Sequence, residues 1–187
     1  MSEPAEEEKT FQVYEAFLRE SEVLLPRASE LMELRERGFG DLRGKKLVLR
    51  PYEAFYLLEK GRITVEGKTA KKITLEELVK SVSGKQPEIW VKYLVYRDLR
   101  DRGYIVRDSS VFDFEIHGKG PMRRYVSIVY EGGEADLKTL RGLLKRATKE
   151  KKDLIIAFNN EPETFSPMAA TTGRSLFYSQ NVYDTLL

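Results

Sequence analysis

The chain has 187 residues, 41% hydrophobic and 33% charged, which suits one large or two small cored domains and excludes a chain disordered as a whole. It has no cysteine, which excludes disulfides and thiolate metal sites and fits a reducing cytoplasm. It also has no apolar run of membrane-spanning length, and its acidic start, Met1 to Glu8, does not read as a signal peptide. The net charge of +2 is too small to argue for nucleic-acid binding, so any such case must rest on local clusters.

In chain order, residues 1–10 read as a disordered acidic tail. Residues Phe11 to Arg37 read as helical, with Phe11, Tyr14, Phe17, Leu18, Leu31 and Leu34 near helical spacing and a break at Pro26. Lys46 to Leu49 reads as a strand. Pro51 then opens a helix carrying Ala54, Phe55, Leu57 and Leu58 on one side and ending at Gly61. Ile63 to Val65 is strand-like, and Thr74 with Glu77 forms a capping box that starts another helix. The polar stretch Ser81 to Pro87 marks a boundary between an N-terminal domain (11–84) and a C-terminal one (88–187).

The second half opens with a helix from about Glu88 to Arg102, closed by Gly103. Strands are expected around Tyr104–Val106, Val111–Ile116 and Tyr125–Tyr130. Leu137, Leu140, Leu144 and Ala147 make the stripe of an amphipathic helix. Leu154 to Phe158 reads as a strand buried on both faces, and Leu176–Tyr178 with Val182–Tyr183 could close the sheet. Mixed charges without cysteine are also a compositional hint of a thermophile.

No metal-ligand spacing, phosphate-binding glycine loop or nucleophile elbow is present, so no metal or cofactor is expected. Asp113 and Glu115 share a strand face, but the lysine of a metal-nuclease triad is not in place. The cations Lys145, Arg146, Lys149, Lys151 and Lys152 cluster at a helix end, where the helix dipole alone would favour them.

The run Tyr93 to Val106, followed by Phe114-Glu115-Ile116-His117, Arg124-Tyr125-Val126, and Lys151-Lys152 ahead of Leu154 to Phe158, resembles the catalytic domain of the archaeal tRNA-splicing endonuclease family. Leu49 to Gly61 is similar to that family's N-terminal domain. The resemblance implies an α+β, mixed α/β chain: a small N-terminal α/β domain, then a restriction-endonuclease-like domain with a mixed sheet flanked by helices. It also implies metal-independent cleavage of precursor tRNA at a bulge–helix–bulge motif, leaving 2′,3′-cyclic phosphate and 5′-hydroxyl ends.

In active members a tyrosine serves as base, a histidine as acid and a lysine as the cation on the phosphate, roles that attack by the substrate's own 2′-hydroxyl requires. Here His117 stands at the tyrosine's place, Met122 at the acid's, and Lys151 at the lysine's. Methionine cannot transfer a proton. The resemblance therefore implies a degenerate triad and a structural subunit, paired with a catalytic paralogue in an α2β2 heterotetramer. Lys145, Arg146, Lys149 and Lys152 are the expected RNA contacts. Glu161 and Glu163, in an acidic loop that enters a basic cleft on a neighbour, together with Val182, Tyr183 and Leu186, are the expected subunit interface. The alternatives are a catalytic subunit with an altered triad of His117 and Lys151, or an RNA-binding scaffold on the same fold.

Overall fold

The computed structural model describes residues 12–19, 22–27, 31–68, 70–118, 123–129, 137–158 and 177–179. Met122, Glu161, Glu163, Val182, Tyr183 and Leu186, and the acidic start of the chain, lie outside the described residues. The fold is α+β, built on two sheets. No helix among the described residues is long and apolar enough to cross a membrane.

The first sheet begins with β1 (Tyr14–Arg19) and β2 (Glu22–Leu25), followed by the short helix α1 (Met32–Glu36), β3 (Asp41–Arg43) and β4 (Lys46–Leu49). After α2 (Pro51–Glu59) it is completed by β5 (Ile63–Glu66) and β6 (Lys72–Ile73), in the order β3-β4-β2-β1-β5-β6. The helix expected over Phe11 to Arg37 is thus an antiparallel hairpin and one short helix. Tyr14 and Ala16, then Val23 and Leu25, are buried at a spacing of two, which is the period of a half-buried strand. Tyr14 also pairs in parallel with Ile63, a partner far along the chain that local spacing cannot reveal.

Helix α3 (Leu75–Ser83) starts at Thr74, whose hydroxyl accepts from Glu77 N while Glu77 accepts from Thr74 N, the expected capping box. The polar stretch that follows connects α3 to α4 (Ile89–Asp101). Gly103 ends α4 at a φ of 85°, with Tyr104 N donating to Leu99 O and Gly103 N to Arg100 O.

The second sheet holds β7 (Ile105–Asp108), β8 (Phe114–His117), β9 (Arg123–Val129), β10 (Asp153–Phe158) and β11 (Phe177–Ser179), in the order β11-β10-β9-β8-β7. Helix α5 (Leu137–Lys149) is the crossover between the parallel strands β9 and β10.

One hydrophobic core runs through both halves. It joins Tyr14, Leu25, Leu47 and Phe55 to Tyr93, Tyr96, Phe114 and Ile155. Aromatic rings of α2 and α4 interlock at its centre: Phe55 meets Tyr93 edge-on at 5.5 Å, and Tyr52 lies 4.8 Å from Tyr96 and 5.3 Å from Phe114. A second, smaller core lies on the other face of the second sheet. There α5 lays Leu140, Leu143, Leu144 and Ala147 over Phe112, Tyr125, Leu154 and Ile156.

Candidate functional site

Directly opposed residues of a ladder share a face, so the register of the second sheet decides which side chains meet. Phe114 and Ile116 of β8 point into the large core, and Glu115 and His117 point the other way. On that same face Arg107 and Tyr125 flank Glu115, while Ile105 and Arg123 flank His117. Helix α5 covers the β9–β10 side of this face, where Tyr125 is buried, stacked on Phe112 at 4.1 Å. Arg107 and Arg123, towards the other side, are exposed.

The turn after α5 brings in a lysine, and the backbone selects which one. Lys152 N donates to Ala147 O and Lys151 N to Thr148 O, the paired bonds of a Schellman ending. Lys151 occupies the left-handed position, with a φ of 54°, and its side chain is exposed. The next residue, Lys152, sends its Nζ 2.7 Å from the Tyr125 hydroxyl and 2.9 Å from Glu115 Oε1, with the ammonium 4.2 Å above the Tyr125 ring. Of the two neighbouring lysines, therefore, Lys152 joins His117 on the sheet face.

Two cations, Lys152 and Arg123, and the imidazole of His117 approach a single oxygen. Glu115 Oε1 lies 2.9 Å from Lys152 Nζ, 3.7 Å from His117 Nε2 and 4.0 Å from Arg123 Nη1. The Lys152 ammonium is held protonated above the ordinary lysine range, first by its hydrogen bond with Tyr125 and then by Glu115. Partial burial lowers the His117 pKa. The positive charges of Arg123, Arg107 and Lys152 act in the same direction, against the pull of Glu115. The Tyr125 hydroxyl also donates to Glu150, whose carboxyl is held below the usual range by that bond and by the charges of Lys152 and Arg146.

Lys145, Arg146 and Lys149 sit on the exposed side of α5, with Arg146 Nε 3.6 Å from Glu150. They share the solvent side of the helix with Lys138 and Arg141. Lys152, grouped with them by sequence, points into the sheet-face cluster instead.

A cleft of about 550 Å³ opens between the two halves of the molecule. Phe39 and Tyr56 provide aromatic surface, and Arg37, Lys60, Arg62 and Arg100 line it, with Glu36 as the one acidic side chain of the lining. The Arg100 guanidinium stacks 3.9 Å over Phe39 and donates to Arg37 O at 2.9 Å, so the cationic wall is braced. No spacing in the sequence pointed to this cleft, because its walls come from α1, α2, α4 and β7. Among the described residues no group of carboxylates and histidines is arranged to hold a metal ion.

Residues 14–79 match the model of the tRNA intron endonuclease N-terminal domain, and residues 89–165 that of the tRNA intron endonuclease catalytic C-terminal domain. A tRNA-splicing endonuclease of Pyrococcus furiosus is 34% identical over 155 residues, covering 80% of this chain and 90% of the relative. The chain belongs to the tRNA-splicing endonuclease family. Other members similar to it include the tRNA-splicing endonucleases of Pyrococcus abyssi, 32% identical over 80% of this chain and 90% of the relative, and Methanopyrus kandleri, 31% identical over 70% and 76%. The sheet-face cluster of Glu115, His117, Tyr125 and Lys152 lies wholly within the part of the chain matched by the catalytic-domain model.

Proposed function

We propose that this chain is the structural, non-catalytic subunit of a heteromeric tRNA-splicing endonuclease. Paired with a catalytic paralogue in an α2β2 assembly in the cytoplasm, it serves cleavage of precursor tRNA at bulge–helix–bulge sites. The observation that carries this reading is the state of Lys152, the lysine that reaches the sheet face of His117 where the resemblance puts Lys151. A lysine that stabilises a pentavalent phosphate must present its charge to the substrate, and here that charge is engaged by Glu115 and Tyr125. The loss of proton-transfer partners agrees with it. Met122 stands where the resemblance puts the acid, and Tyr125 is buried under α5 with its hydroxyl engaged by Glu150 and Lys152.

The cationic cleft between the halves supports assembly: its chemistry suits an acidic loop of a neighbouring subunit. Glu161 and Glu163, with Val182, Tyr183 and Leu186, are this chain's own contribution to the contact. The exposed cations of α5, Lys145, Arg146 and Lys149, suit the RNA backbone.

One observation favours the second reading, a catalytic subunit with an altered triad, though with Lys152 rather than the expected Lys151 beside His117. His117 and Lys152 approach the same carboxylate oxygen, so a proton-transfer group and a cation stand side by side. Reconstitution separates the two. Purified alone, the chain should leave a bulge–helix–bulge RNA uncut, and mixing with a paralogue that carries the full tyrosine, histidine and lysine set should produce cleavage. Cleavage by the chain alone, abolished by His117→Ala, would establish the second reading.

A further inference from the structure

Helix α5 carries five cations and no carboxylate in its 13 residues: Lys138, Arg141, Lys145, Arg146 and Lys149. All five are exposed, on the side of the helix opposite Leu140, Leu143, Leu144 and Ala147, which pack on the second sheet. Arg141 with Lys145, and Lys145 with Lys149, stand four residues apart, the spacing at which like charges destabilise a helix. Elsewhere the chain uses that spacing for attraction, as in Lys80 with Glu76 and Arg102 with Asp98. Gly142 lies within this cationic face, and no feature of the fold calls for a glycine there. Its backbone is helical and not left-handed, and a Cβ built on it meets no described atom within 4 Å. A glycine inside a helix nonetheless lowers stability relative to alanine. Gly142 lines an open depression together with Lys145, Arg146, Lys149 and Glu150. Crowded like charges and a missing side chain therefore coincide on one surface. A polyanionic backbone lying against that surface accounts for both: its phosphates offset the cations, and the bare helix lets a sugar–phosphate chain come close.

We propose that this face of α5 docks on the backbone of a double-helical RNA stem, with Gly142 as the point of closest approach. The inference rests on the reading of Lys145, Arg146 and Lys149 as RNA contacts, and adds the form of the RNA and the role of Gly142. The side chains present favour a duplex over a single strand. Single strands are held by stacking their bases on aromatic rings, and α5 has no aromatic residue. Paired RNA is recognised by its shape, through phosphates and 2′-hydroxyls, which suits a row of cations around a bare stretch of helix. Lys138 to Lys149 spans about 16 Å along the helix axis, enough to meet several phosphates.

The test titrates the full chain into a fluorescently labelled short RNA duplex and reads binding by anisotropy. Gly142→Ala and Gly142→Gln are compared with the native chain, and a triple variant with alanine at Lys145, Arg146 and Lys149 is the control for the cations. Both glycine variants should melt at a higher temperature, because each gives the helix a side chain it favours. Both should nevertheless bind the duplex more weakly, Gly142→Gln by roughly ten-fold, as expected when a close contact is forced apart. A single-stranded RNA of the same length should bind the native chain more weakly than the duplex and should not distinguish the glycine variants from it. Loss of binding in the triple variant, with native affinity in both glycine variants, would keep the cations as RNA contacts and overturn the role of Gly142. Native affinity in all three variants would overturn that role and the RNA reading of α5 together. A single strand that binds as tightly as the duplex, with the same sensitivity at Gly142, would overturn the duplex. Glycine variants that bind the duplex normally but fail to assemble with a paralogue would assign this face to a protein partner and overturn the proposal.

Discussion

Tyr93 donates its hydroxyl to Glu59 at 2.6 Å, linking α4 to the end of α2 across the junction of the two halves. The Tyr93 ring is fully buried against Phe55, and Glu59 also receives Arg97 at 3.2 Å. This bond fastens the N-terminal sheet to the helix that leads into the site-bearing sheet. Tyr93→Phe retains the ring and removes only the hydroxyl. The expected loss is about 1.5 to 3 kcal/mol, typical for a hydrogen bond to a charged group, read as a lower denaturation midpoint with an unchanged denaturant slope.

Glu53 makes stability depend on pH. Its side chain is buried and accepts from Gly40 N and Arg50 N, yet burial outweighs these bonds and raises its pKa to about 7. A carboxyl whose folded pKa lies above its unfolded value binds more protons in the folded state. Stability should therefore fall as pH rises from the ordinary carboxyl range to about 7, by roughly 3 kcal/mol over that window. Glu53→Gln should flatten this part of the profile, measured by chemical denaturation at a series of pH values. A profile identical to that of the native chain would show that Glu53 is not the titrating group.

The two neighbouring lysines should behave differently. Lys151 holds the left-handed position that Gly103 holds after α4, so Lys151→Gly should raise stability by roughly 0.5 kcal/mol, the steric relief being partly offset by a more flexible unfolded chain. Lys152→Ala should lower it by about 1 to 2 kcal/mol, because Glu115 and the Tyr125 hydroxyl lose a partner. Thermal melts of the two variants side by side give the comparison.

These lysines also show how far the sequence can be read. Helices α2, α3, α4 and α5 were legible because proline, capping-box and glycine signals and the 3.6-residue stripe are local. The same holds for β10, whose apolar run is long enough to recognise. The resemblance to the family rested on α2, α4 and β10 together with short runs of β8 and β9. The hairpin of β1 and β2 was not legible, because Tyr14, Phe17 and Leu18 also fit helical spacing and the pairing that decides the matter, Tyr14 with Ile63, is non-local. Lys151 was the expected site lysine and the structure directs Lys152 to the sheet, since one residue of left-handed turn separates a solvent-facing side chain from an inward one. The role of Glu115 as the shared acceptor depends on the register of three strands, which spacing along the chain does not encode.

If α5 faces RNA, replacing Lys145, Arg146 and Lys149 together by alanine should weaken binding and flatten its salt dependence. Where each of these cations neutralises one phosphate, the slope of log K against log salt should fall by roughly 2. An unchanged slope would return these cations to a role in solvation alone.

Glu161→Ala combined with Glu163→Ala should prevent assembly with the catalytic paralogue while leaving the chain folded. Size-exclusion chromatography with circular dichroism on the same sample reads both properties. An intact, active complex would remove these carboxylates from the interface.

The most direct test of the central claim is the single-turnover cleavage rate of the reconstituted complex on a bulge–helix–bulge RNA, with His117→Ala and Lys152→Ala in this chain and assembly verified by gel filtration. A structural subunit predicts a chemical step within about two-fold of the native complex, whereas loss of a general acid or base costs about 10²- to 10⁴-fold. A fall of that size in a correctly assembled complex would show that this chain carries catalysis and would contradict the account.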